Sequence, residues 1–133
     1  MIGIDTNILV RLITNDDPEM AGQARVYLQQ AADAGVFVNS IVLCELAWTL
    51  TRSYRYSRAE VLKIFFDLMA HPSLIFEDEG EMQAGMQALE QNIDFADGVI
   101  GRRNLTVGCE PTGTFDRRAA ALDTFETVPA AAP

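Results

Sequence analysis

Short apolar runs alternate with helical patterns along this whole chain, and most of those runs break off at a polar residue able to cap a helix. That alternation is the tightest constraint on its fold. Strand–helix–strand units place successive strands parallel in one sheet, covered by helices. The first run, Met1-Ile2-Gly3-Ile4, passes into Asp5-Thr6-Asn7 and then into Ile8, Leu9, Leu12 and Ile13 at helical spacing. A run apolar throughout reads as a strand buried on both faces. Asp5 therefore lies at the carboxyl end of the first strand, the edge at which open α/β sheets bind ligands. Helix capping accounts for a carboxylate there equally well, so Asp5 gains meaning only if other acids reach the same edge.

Asp16-Asp17-Pro18-Glu19 opens a helix, with Asp17 as N-cap and Pro18 at its first position. That helix is expected to reach Ala34, with Met20, Ala24, Tyr27, Leu28 and Ala31 inward, and Gly35 ends it. Val36-Phe37-Val38 is a second strand, after which Ser40 caps a helix from Ile41 to about Ser53. Ser57-Arg58-Ala59-Glu60 has capping-box spacing and starts a helix closed by His71-Pro72. Leu74-Ile75-Phe76 is a third strand. Helices follow over Asp78–Gln91 and Asp94–Leu105. A strand is expected over Cys109–Thr112, a short helix over Phe115–Leu122, and an edge strand over Phe125–Val128. The expectation is an α/β fold: a three-layer α/β/α sandwich on a central, mostly parallel five-stranded sheet. Residues 1–128 read as a single domain and 129–133 as a loose tail.

A chain of 133 residues suits one core. Asp5 interrupts the first apolar run, no run is long enough to span a bilayer, and a cytoplasmic protein is expected. The cysteines, Cys44 and Cys109, lie far apart and read as reduced core thiols. Net charge is −9, from 19 acids against 10 Lys and Arg. That excludes a general nucleic-acid coat, which carries a basic face. It leaves room for a nuclease whose site is itself a carboxylate cluster. Of the basic residues only Lys63 is a lysine, and arginine forks suit phosphate.

Three more acids arrive at strand ends or first helical turns. Glu45 shares a helical stripe with Ile41 and Trp48, so it is expected to face packed surface, where an unpartnered carboxylate is costly; pairing with Arg52 is the plain alternative. Asp94-Phe95-Ala96-Asp97 has capping-box spacing, yet the same spacing puts both carboxylates on one helical face. Gly98 and Gly101, poor helix formers, leave room there for close approach to the backbone. Asp116, in Thr114-Phe115-Asp116, follows the fourth strand as Asp5 follows the first. Four carboxylates gathered together repel one another. A hard divalent cation such as Mg²⁺ or Mn²⁺ removes that problem and keeps waters for a phosphate substrate. No histidine joins them, which disfavours zinc.

With those residues in order, the sequence resembles the PIN-domain nucleases, and within them the VapC-type toxins of bacterial toxin–antitoxin pairs. The matching stretches are Ile4-Asp5-Thr6-Asn7, Arg11-Leu12-Ile13-Thr14-Asn15-Asp16-Asp17-Pro18, Leu43-Cys44-Glu45-Leu46, Asp94-Phe95-Ala96-Asp97 and Thr114-Phe115-Asp116. The resemblance implies a metal-dependent ribonuclease in which Asp5, Glu45, Asp97 and Asp116 hold Mg²⁺ or Mn²⁺. It gives Asn7 and Thr114 supporting roles and places Asp94 nearby. It also implies a cognate VapB-type antitoxin and a homodimer. Two stretches depart from the family pattern. Gly98-Val99-Ile100-Gly101-Arg102-Arg103 stands where an Ala-rich run is usual, and Glu110-Pro111 fits a regular strand poorly.

The chemistry so expected is metal-assisted hydrolysis of RNA phosphodiester bonds, with no covalent nucleophile. Arg11, Arg52, Arg55, Arg102, Arg103, Arg117 and Arg118 are candidates to position the RNA, single-stranded or looped, and ordinary surface charge is their alternative. A haloacid-type phosphatase would want an acid where Asn7 stands. A receiver domain would want a lysine at the site, and no P-loop occurs. The non-enzyme alternative is a catalytically silent PIN fold that binds RNA or a partner protein.

Overall fold

The computed structural model describes residues 1–131. The last two residues of the expected tail lie outside the described residues. Strands and helices alternate as β1 (Ile2–Gly3), α1 (Thr6–Thr14), α2 (Pro18–Ala31), β2 (Val36–Val38), α3 (Ser40–Arg52), α4 (Arg58–Met69), β3 (Leu74–Phe76), α5 (Glu79–Glu90), α6 (Phe95–Thr106), β4 (Thr112–Thr114) and β5 (Phe125–Thr127). A single 3₁₀ turn, Ala119–Ala121, precedes β5. The chain divides into two compact units, Met1–Glu79 and Gly80–Pro133.

In the first unit β1, β2 and β3 form a parallel sheet in that order, with Ile2 opposite Val36 and Val36 opposite Leu74. Val36 and Val38 of the central strand are buried, as a both-faced core strand requires. Between β2 and β3 the chain crosses over through α3 and α4. Asn39, rather than Ser40, is the N-cap of α3: its side chain accepts from the Val42 N–H at 2.9 Å. The buried face of α3 is Val42, Leu43, Leu46, Ala47 and Leu50. Truncating one of its leucines to alanine costs about 3 kcal/mol. Ser57 and Glu60 form the expected capping box of α4. Asp17 caps α2 as expected. That helix stops at Ala31, and Gly35, at φ 93°, returns its N–H to the Ala31 carbonyl at 3.0 Å. Met20 and Tyr27 are exposed, and the buried residues of α2 are Ala21 and Ala24.

In the second unit β4 and β5 form a two-stranded parallel sheet with Thr112 opposite Phe125. The strands therefore make two small sheets, of three and two, and not the expected ladder of five. β1 offers only two paired residues, Ile2 and Gly3, both engaged by β2. β4 starts only after Pro111, three residues later than the sequence pattern suggests, because proline cannot donate to a ladder. The helix expected over Phe115–Leu122 shrinks to the 3₁₀ turn. Gly98 and Gly101 on α6 are buried, and their role is packing within this unit. A Cβ at Gly98 would meet the Ala84 carbonyl of α5, and one at Gly101 would meet Thr124 and the Phe125 ring. What approaches the α6 backbone is the protein itself.

Candidate carboxylate site

Parallel pairing carries the carboxyl ends of β1, β2 and β3 to one edge, so Asp5, Asn39 and Glu77 follow their strands there. Asp5 is exposed and is the N-cap of α1, its Oδ1 accepting from the Ile8 N–H at a long 3.3 Å. The capping explanation holds for this residue, weakly. Glu45, on the second turn of α3, accepts a hydrogen bond from the Thr6 hydroxyl at 3.0 Å. That contact ties it to the residue next to Asp5. Glu45 does not face packed surface: Ile41, Glu45 and Trp48 all lie on the exposed side of α3. The apolar residues of that stripe point outward because the opposite face supplies the core. Asn7 is exposed in the first turn of α1.

Glu77 was not singled out in the sequence. Its carboxylate accepts the Ser40 backbone N–H at 2.8 Å, so it joins Asn39 in holding the N-terminus of the helix that carries Glu45. The only sign of it was an acid directly after an apolar strand.

The second unit holds the other acids. Asp94 is the N-cap residue of α6 yet makes no side-chain cap hydrogen bond, so the capping-box explanation fails for Asp94 and Asp97. Asp97 stands in the first turn, where the helix dipole favours an anion. Burial, and then the charges of Asp94 and Asp116, nonetheless push its carboxyl above the ordinary aspartate value. Asp116 is fixed by its own turn. Its N–H donates to Thr114 Oγ1 at 3.0 Å, and its Oδ1 accepts the Arg118 N–H at 2.8 Å. Thr114 thereby acts on the backbone of Asp116.

The arginines separate into two kinds. Arg11 Nη1 lies 2.8 Å from both oxygens of Asp16, which also accepts the Tyr54 hydroxyl at 2.6 Å and the Thr14 hydroxyl at 3.0 Å. The tyrosine, the guanidinium and the threonine together hold the Asp16 carboxyl well below its ordinary range. Arg103 grips Glu81, which is only 5% exposed, through two hydrogen bonds of 2.8 and 2.9 Å. Both forks serve the structure. Arg52, Arg102 and Arg117 are exposed, and no ion pair engages them among the described residues. Cys109 is exposed and so is not the core thiol expected, while Cys44 is half-buried. Phe65 of α4 is buried, whereas Phe66 of α4 and Tyr27 of α2, the latter expected inward, are exposed.

Residues 2–124 match the PIN domain. The chain belongs to the PIN-domain family. No curated protein and no solved structure matches it. PIN domains have an α/β fold, are commonly nucleases, and generally use divalent metals. The donor chemistry here suits such an ion: every candidate is a carboxylate, with no thiol or imidazole among them, and carboxylates crowd at Asp97. Among the described residues, no group of three or more His, Cys, Asp and Glu side chains is placed to hold a metal ion as it stands. Among the described residues, no helix is long and apolar enough to cross a membrane.

Proposed function

We propose that this PIN-domain chain is a Mg²⁺- or Mn²⁺-dependent endoribonuclease, the toxin of a type II toxin–antitoxin pair. The metal ligands that the resemblance implies are Asp5, Glu45, Asp97 and Asp116. The observation that carries the reading is the environment of Asp97. Its cap hydrogen bond is absent, and burial, then the charges of Asp94 and Asp116, raise its carboxyl where a helix N-terminus would lower it. A divalent cation would relieve the repulsion that Asp94 and Asp116 add at this carboxyl. When bound, the metal supplies an activated water and stabilises charge on the phosphate oxygens.

The chain's own residues prepare that chemistry. Thr6 orients Glu45, Glu77 and Asn39 fix the helix beneath it, and Thr114 sets the turn of Asp116. Of the candidate arginines, Arg52, Arg55, Arg102, Arg117 and Arg118 are left to meet RNA phosphates. Toxin function, with a VapB-type antitoxin and a homodimer, rests on the resemblance of the ordered motifs. The test is cleavage of a labelled structured RNA by purified protein in Mg²⁺ or Mn²⁺. Cutting that EDTA abolishes is expected. Absence of cutting in either metal, by protein that is folded, sinks the ribonuclease and leaves a binding module.

A further inference from the structure

Trp48, exposed on α3, has no role in the site so far. Ile41, Glu45, Trp48 and Arg52 are spaced by three and four residues and share one stripe. Trp48 is 60% exposed and Ile41 64%. Tryptophan is a side chain that folding usually covers, so an indole left this open is notable. At about 1.5 Å per residue, Trp48 lies roughly one turn beyond Glu45 and roughly one turn short of Arg52. Arg52 is exposed in the last turn, and Arg55, also exposed, follows at φ 56°. Along the helix the stripe reads carboxylate, indole, guanidinium.

We propose that Trp48 is a stacking platform for one base of a single-stranded RNA substrate, with Arg52 taking a neighbouring phosphate. The inference rests on the ribonuclease reading above. The order of residue types favours RNA over a protein partner. A partner helix wants unbroken apolar anchors at helical spacing. Here Glu45 interrupts the apolar residues and an arginine ends them. A π-face beside a cation is the combination that binds single strands, and stacking on it accepts any base. Trp48 is then a positioning residue. It holds the strand while the chemistry takes place at the carboxylates.

Trp48 is the only tryptophan, so its emission reports on the site directly. Wild-type protein in EDTA is titrated with a single-stranded RNA oligonucleotide, and cleavage kinetics are measured in Mg²⁺. Saturable quenching of the emission is expected. Trp48→Ala raises KM about tenfold with kcat within about twofold, Trp48→Phe restores most of the loss, and Phe66→Ala on α4 leaves KM unchanged. Circular dichroism checks that each variant is folded. RNA cutting by wild type with no quenching, and with unchanged KM in Trp48→Ala, overturns the inference and leaves the ribonuclease standing. Wild type that neither binds nor cuts RNA overturns both. Emission that shifts with protein concentration alone places Trp48 between copies of the chain and also overturns the inference.

Discussion

Gly98→Ala separates two effects of opposite sign. In an open helix, replacing glycine with alanine gains about 1 kcal/mol from propensity. At Gly98 the added Cβ would lie 2.7 Å from the Ala84 carbonyl carbon and 2.8 Å from the Gly85 Cα. Carbon atoms pack at about 3.5–4.0 Å. Both obstacles are backbone of α5, so no side chain can rotate away and the helices must part. Overpacking of this kind costs about 3 kcal/mol at the upper end of its usual range. The net expectation is a loss of about 2 kcal/mol, or roughly 8 °C in Tm for a chain of this size. Gly22→Ala on α2 is the counterpart. Its nearest neighbour would be Arg25 Nη2 at 4.0 Å, so propensity wins, with a gain of about 0.5–1 kcal/mol. Thermal melts followed by far-UV circular dichroism read both. A Gly98→Ala protein that melts at or above wild type would refute close packing of α6 on α5.

Three further outcomes follow from other contacts. Asp16 titrates below its ordinary value when folded, so its contribution is complete above about pH 4 and is lost as the pH falls further; Asp16→Asn should flatten the acid limb of a stability–pH curve, and an unchanged limb would discount the Arg11–Asp16–Tyr54 network. Arg103→Met strips the buried Glu81 of two charged hydrogen bonds. A loss of about 2 kcal/mol in urea unfolding is expected, less than for a fully buried pair because Arg103 is half in water, and RNA affinity should hardly change. Ser57→Ala removes the capping box of α4 and should cost about 1 kcal/mol, with no effect on cleavage.

The first unit was largely legible because its signals are local. β2 and β3 fall on the residues expected, and Asp17 and Ser57 cap their helices. What misled was direction. The stripe Ile41–Glu45–Trp48 is apolar enough to read as core, but α3 is hydrophobic on both sides, and spacing alone does not say which side meets the sheet. The second unit was less legible. Pro111 and Gly113 obscure β4, and a strand of three residues carries little periodicity. The glycines of α6 carry two meanings in a sequence, room for a ligand or room for a helix, and only the positions of Ala84 and Thr124 decide for the helix. Among the acids, Asp5 and Asp97 look alike in sequence as capping residues, yet the cap forms at Asp5 and fails at Asp94 and Asp97.

The most direct test of the central claim, that these carboxylates form a cation site, is titration of Mn²⁺ into the protein by calorimetry, beside Glu45→Gln and Asp97→Asn. Wild type is expected to bind Mn²⁺, and each variant to lose about tenfold or more in affinity, with melting temperatures at or near that of wild type. Wild type that binds no Mn²⁺, or variants from both units that bind it as wild type does, would contradict the claim.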